Sequence, residues 1–353
     1  MMQATTTTPL PLVPTTWRRW FPASAAAVGR NYVSAAGLLL IVYGVYAALY
    51  RFVPYYHHII EPAGFTGLTF VLLGYLAALP IFYATFPDDA TVKCRRFWHA
   101  VFALRRRPLT DAEKTALRAV AVKAFFLPLM ISWSIYHFGN LINAWHTLTT
   151  SGFAFRHLYS VLFLFILVGD VGCYTIGYAV EHPRLNNEIR SVEPTISGWL
   201  VALACYPPLH LITARLFGWY AADYPEFQSP FLQVVFGIIM LALIAIYSWA
   251  SIALGFKASN LTNRGIVSTG PYAFVRHPAY IGKNLFWLLS AIPIVWHRGS
   301  QDARVFLAAA FGLSCWCGLY VLRALTEERH LRRDPDYVAY CEKVKWRFVP
   351  GVF

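Results

Sequence analysis

Apolar runs of about twenty residues recur along this chain, and no other feature constrains its fold as strongly. A run of that length crosses the roughly 30 Å hydrocarbon layer of a bilayer as one helix. Backbone polar groups find no partner in lipid, so only helices and closed barrels span it. Barrel strands alternate apolar and polar residues, whereas these segments are apolar all round. The expected fold is therefore all-α, a polytopic membrane bundle of about eight transmembrane helices. The predicted spans cover 32–50, 64–86, 124–148, 155–180, 196–217, 230–254, 279–297 and 304–325. Charged residues make up 13% of the chain, against about 25% in an average soluble domain.

Charge sets the expected orientation. Lys93, Arg95, Arg96, Arg105–Arg107, Lys114, Arg118 and Lys123 precede the third span, and Arg323, Arg329, Arg332, Arg333, Lys343, Lys345 and Arg347 end the chain. The alternate loops hold only Arg51, Arg156, Arg215, Arg298 and Arg304. This bias predicts that both termini are cytoplasmic. It also accounts for the net charge of +13, so the expected partner is the bilayer and not nucleic acid. Residues 1–30 read as a flexible leader with a Trp17-Arg18-Arg19-Trp20 interfacial anchor, and not as a cleaved signal. That leader and the short loops favour a bacterial inner membrane. The six cysteines include no CxxC pair and suggest neither a metal site nor a disulfide framework. Thr110 and Glu113 have capping-box spacing and should open an amphipathic helix feeding the third span.

Chemistry concentrates after residue 228. In Arg276-His277-Pro278-Ala279-Tyr280-Ile281-Gly282, Pro278 suits the first turn of a helix. Such a start presents free N–H groups and a positive dipole end, which suit a carboxylate or phosphate. His277, Tyr280 and Asn284 share one face, with Arg276 and Lys283 adding positive charge. The second block, Glu327-Glu328-Arg329-His330-Leu331, follows the last span. Adjacent carboxylates beside a low-dielectric layer are costly unless paired. On these residues alone, interfacial anchoring is an alternative for the first block and for the aromatic and basic tail from Tyr337 to Gly351; for the second block the alternative is a solvated helix end offset by Arg323, Arg329, Arg332 or Arg333. The predicted orientation places both blocks in the same compartment, joined by one hairpin.

Gly270-Pro271-Tyr272, Val275 to Gly282, Glu327 to Leu331, Tyr337-Val338-Ala339-Tyr340 and Arg347-Phe348-Val349-Pro350-Gly351, in this order, resemble the isoprenylcysteine carboxyl methyltransferase and phospholipid methyltransferase group over about residues 230–353. The resemblance implies an enzyme that binds S-adenosylmethionine at the cytoplasmic face and methylates a lipid-like or prenylated acceptor. It implies a cofactor site of Tyr272, Arg276, His277, Tyr280, Gly282, Glu327 and Glu328. His277 and Tyr280 would hold the methionine part, and the two glutamates the adenosine side. Arg347, Glu327 and Asn284 are the candidate catalytic residues. Lys283 and Asn284 depart from the group, many of whose members are apolar there. Integral-membrane sterol reductases share a similar C-terminal half and tail, so an NADPH-dependent reductase is an alternative, with Arg329, Arg332 and Arg333 reading a 2′-phosphate. The Glu-Glu-x-x-Leu spelling favours the methyltransferases. A non-catalytic membrane scaffold is a third reading.

Polar residues inside spans are expensive and often functional. His137, Asn140 and Asp170 are expected to line an acceptor pocket, with interhelical hydrogen bonding as the alternative. The prolines in Cys205-Tyr206-Pro207-Pro208-Leu209-His210 should break or kink the fifth span, and this stretch is expected to line the same pocket or a path to it.

Overall fold

The start of each long helix can be traced to a few residues. Thr110 and Glu113 form the expected capping box: the Thr110 hydroxyl accepts from the Glu113 amide at 3.3 Å, and the Glu113 carboxylate accepts from the Thr110 amide at 2.9 Å. Ser229 caps the helix that Pro230 opens, and Asp302 accepts from the Arg304 amide at 2.8 Å. In the computed structural model, which describes residues 25–86, 91–299 and 302–352, these starts frame an all-α polytopic bundle. The helices are α1 (Ala25–Phe52), α2 (Tyr56–Ile59), α3 (Pro62–Thr85), α4 (Thr91–Ala103), α5 (Asp111–Thr150) and α6 (Phe155–Ala179). They continue with α7 (Ile196–Leu203), α8 (Leu209–Phe217), α9 (Pro230–Leu254), α10 (Pro278–Gly299), α11 (Ala303–Leu331) and α12 (Pro335–Lys343). Of the expected leader, residues 1–24, including the Trp17–Trp20 anchor, lie outside the described residues. Residues 25–30 are not leader but the first turns of α1.

Among the described residues seven helices are long and apolar enough to cross a bilayer: α1, α3, α5, α6, α9, α10 and α11. The expected span over 196–217 is not one helix. Pro207 and Pro208 divide it into α7 and α8, because a proline lacks the N–H and clashes with the preceding turn. The broken pair and the loop after it together run from one end of the bundle to the other. The pair starts beside the C-terminal end of α11, where Arg329 donates to Thr195 Oγ1 at 2.5 Å. Its end lies beside the middle of α11, where the Trp316 indole donates to the Gly218 carbonyl at 2.9 Å. The following loop then reaches the opposite end of the bundle: Tyr159, in the second turn of α6, donates to the Asp223 carbonyl at 2.8 Å. With the seven long helices, this broken segment takes the described chain through the bundle eight times.

Helix α5, at 40 residues, is about 60 Å long at 1.5 Å per residue. Its charged first turns and its span are one helix, where a separate amphipathic segment was expected. Before it, α4 packs against α1 and α5, and the Trp98 indole donates to the Ser34 carbonyl at 2.9 Å. Helix α6 packs on α5 on one side and on α9 on the other. One apolar core gathers Phe126, Met130, Val171 and Tyr178 between α5 and α6. Another gathers Tyr159, Phe163, Met240, Ile244 and Phe286 among α6, α9 and α10. The outward faces carry exposed Phe70, Phe165, Ile238 and Leu307, the arrangement lipid contact requires.

Gly282 sets the closest helix approach near the site. A Cβ there would stand 2.6 Å from the Leu243 carbonyl oxygen and 3.0 Å from the Tyr247 nitrogen, both backbone of α9. At the same end of the bundle a short antiparallel ladder, β1 (Ser191–Val192) with β2 (Thr262–Asn263), ties the segment after α6 to the segment after α9. Asn263 and Arg190 extend this tie to α12, contacting Asp334 at 2.7 and 3.2 Å. Burial opposes ionisation of Asp334, but the Asn263 amide, the Asp336 backbone and Arg190 outweigh it and hold the carboxyl below its usual range.

Candidate functional site

Helix α10 begins at Pro278, and α11 runs back antiparallel to it, so the two polar blocks of the sequence meet at one end of this hairpin. The Glu328 carboxylate is the centre, with the residue 2% exposed. Arg276 Nε stands 3.0 Å from its Oε1 as an ion pair without an aligned hydrogen bond. His277 Nε2 is 3.3 Å from the same oxygen. Arg347 Nε donates to Oε2 at 3.0 Å, and Arg332 lies 3.7 Å away on the exposed side. Glu327, one residue earlier and partly open, accepts from the Tyr280 hydroxyl at 2.6 Å and from Arg323 Nε at 3.1 Å. The His277 and Tyr280 rings stack at 5.4 Å and 8°, and Phe348 lies 5.6 Å from the imidazole.

The tail closes this arrangement through its backbone. The amides of Arg276 and His277 donate to the carbonyls of Trp346 and Arg347, both at 2.9 Å. Tyr340 of α12 donates to the Tyr272 carbonyl at 2.8 Å. The tail is thus joined to the turn before α10 and is not a detached surface segment.

Of the expected site residues, Arg276, His277, Tyr280, Glu327, Glu328 and Arg347 come together. Tyr272 borders them, but its ring packs in the cluster of Tyr337, Tyr340 and Val344. Gly282 faces α9, where it permits close packing. Asn284 lies one turn beyond Tyr280, and its buried Oδ1 has no hydrogen-bond partner. Asp170 is buried at 4% exposure in α6, with Oδ1 likewise unpartnered. His137 has an unpartnered Nδ1 in α5. Neither His137 nor Asn140 makes a hydrogen bond or ion pair to the Glu327–Glu328 cluster among the described residues.

Behind Glu327 stands Arg323, one of the cations expected to offset the two carboxylates. Arg323 is 4% exposed and bridges Glu327 to the Asn260 side chain. Its guanidinium lies over the rings of Tyr206, Tyr280 and Tyr320 at 5.4, 5.5 and 5.8 Å. Asn260 is fixed in turn by the Tyr178 hydroxyl, which accepts from its backbone and side-chain nitrogens at 2.6 and 2.9 Å. The i,i+4 spacing of Arg323 and Glu327 is a usable signal, and Tyr206 belongs to the expected break in the fifth span; nothing in the sequence singles out Asn260.

Four guanidinium groups (Arg276, Arg323, Arg332, Arg347) face two carboxylates (Glu327, Glu328), an excess of two positive charges when His277 is neutral. The arrangement can receive an anionic group beside Arg276 and Arg347, a cationic one at Glu327, and a flat ring against the aromatic stack.

The family model described as "Protein of unknown function (DUF1295)" matches residues 223–344, roughly a third of the chain. The match takes in α9 to α12, with both polar blocks, and stops before Arg347. No curated protein and no solved structure matches the chain.

Proposed function

We propose that this protein is an integral-membrane methyltransferase that uses S-adenosylmethionine and acts on a bilayer-soluble acceptor, its cofactor site facing the cytoplasm. The observation that carries this reading is the convergence of the His277–Tyr280 turn, the Glu327–Glu328 pair and Arg347 at one end of the α10–α11 hairpin. The residues suit the cofactor's parts. Arg276, with its unaligned Nε, and Arg347 suit the amino-acid carboxylate; Glu327, partly open, suits the ammonium; and the His277–Tyr280–Phe348 rings offer flat surfaces. The cofactor supplies an electrophilic methyl group, and in-line transfer asks the protein chiefly for positioning and exclusion of water. The chain's own residues contribute both. Glu328 anchors Arg276, His277 and Arg347 in one geometry, and the tail covers the turn.

The excess of positive charge favours a second reading, an NADPH-dependent reductase. Against it, Arg329 is directed to Glu193, Thr195 and Ser197 at the start of α7, which takes it away from a 2′-phosphate. Calorimetry on the purified protein separates the two. S-adenosylhomocysteine should bind, with affinity reduced at least tenfold in His277→Ala and Glu328→Ala, while NADPH should not. Undiminished binding in both variants would overturn the site assignment, and NADPH binding alone would favour the reductase.

A further inference from the structure

Beneath the site, one turn further into α10, lies a lysine with no acidic group in contact with it; the buried Asp170 of α6 acts on it only from beyond ion-pair distance. Among the described residues Lys283 makes no hydrogen bond and no ion pair; its ammonium instead lies over three aromatic rings, Tyr247 at 5.3 Å, Trp287 at 5.2 Å and Tyr320 at 5.3 Å. These rings come from α9, α10 and α11, so the cage is built by three helices and not by local sequence. Tyr320 also carries Arg323 and touches Tyr280 edge-on at 5.2 Å, which makes the cage continuous with the Glu327 cluster. Buried polar groups lie beside the cage: Asp170, Ser251 and the Tyr247 hydroxyl form one group, with Asp170 Oδ1 not fully satisfied. The break between α7 and α8 faces the same place, since Tyr206 lies under Arg323.

An ammonium inside a membrane span is costly, and aromatic faces recover only part of its lost hydration. Arg323, by comparison, has Glu327 and Asn260. Irregular backbone within a span is tolerated where it lines a cavity. A cation with no acid in contact, buried polar atoms and a broken helix together describe a site that can receive an anionic group.

We propose that the Lys283 cage binds the anionic head of an amphiphile that reaches it from the bilayer. The occupant's class, a lipid-soluble acid, rests on the methyltransferase reading only if it is also the methyl acceptor. In that case an anionic nucleophile meets a cationic sulfonium, and a water-poor site strengthens their attraction. A neutral or cationic amine head would be disfavoured by Lys283.

Equilibrium binding of radiolabelled probes to the full-length protein in nanodiscs tests this. The probes are oleate, octadecyl phosphate and a long-chain phenol, set against oleyl alcohol and oleylamine. At least one acidic probe should bind ten-fold or more tightly than both controls. Lys283→Met should abolish that preference, and Lys283→Arg, which keeps the charge in a different shape, should retain a preference for the acid over both controls. The pattern across the three acids identifies the head group. Equal binding of acids and controls by the unaltered protein, or an intact preference in Lys283→Met, would overturn the proposal. S-adenosylhomocysteine binding is measured on the same samples. If it is absent while the Lys283-dependent preference persists, the methyltransferase reading fails and the anion site stands. If it is present without the preference, the reverse holds.

Discussion

Glu328 and Glu181 show how this chain holds buried carboxylates at one end of its bundle. Each is nearly inaccessible, and each is held by at least two cations. Removing one partner of such a group costs about 3–5 kcal/mol, because the other charge stays buried alone. Glu181 follows α6 and is bound by Lys93 at 2.5 Å, Lys123 at 2.6 Å and the Ile189 amide at 2.8 Å. Burial raises its pKa, but Lys123, Lys93 and the amide outweigh burial and leave the carboxyl well below the ordinary carboxylate range. A group depressed on folding stabilises the protein above its unfolded pKa, about 4.3 for glutamate. That stabilisation is lost as pH falls toward the folded value. Glu181→Gln should therefore lower the melting temperature at pH 7 and flatten its fall below about pH 4.3. Thermal melts in detergent across that range check both effects; an unchanged acid limb would mean that Glu181 is not held as described. None of its partners was apparent from the sequence, since Lys93 and Lys123 are 88 and 58 residues away.

Helix boundaries were the most legible part of the sequence, because local chemistry sets them. Thr110 with Glu113, Pro230, Pro278 and the Pro207-Pro208 break all act where their residue types said they would. What could not be read was which helix faces which. The β1–β2 ladder is two residues long on each side, too short for any periodic signal. Gly282 shows the difference best. Its place in the motif suggested cofactor contact, but its hydrogen faces the backbone of α9. Gly282→Ala should push α9 and α10 apart and destabilise the protein by about 1–3 kcal/mol, the usual cost of overpacking. The protein that remains folded should bind S-adenosylhomocysteine with affinity within about two-fold of the unaltered chain. Thermal melts and calorimetry on the same sample separate the effects, and weakened binding at unchanged stability would assign Gly282 to the site instead.

For the molecule as a whole, the consequence of the broken α7–α8 crossing is parity. Eight crossings return the chain to the side on which it began; seven would leave its ends on opposite sides. The end of the bundle that holds Glu328 also gathers Lys93, Lys123, Arg190 and Arg264, in keeping with the positive-inside bias. Reporters fused ahead of residue 25 and after residue 352 should therefore both report the cytoplasm, and one fused within 219–229 the opposite side. Opposite signals from the two terminal fusions would show that α7 and α8 do not cross. The six residues that form the candidate site were each visible in the sequence, but their convergence depends on this path and on the tail's return to the α10 turn. That return also dictates an order of events during synthesis. The Arg276 and His277 amides wait for carbonyls that lie 70 residues downstream (346 minus 276, and 347 minus 277). A ribosome needs on the order of ten seconds to cover that distance. During that interval α10 and α11 are made while Glu328 lacks Arg347, so the cluster is completed late in translation, and a chain halted before residue 346 would lack this closure of the α10 turn.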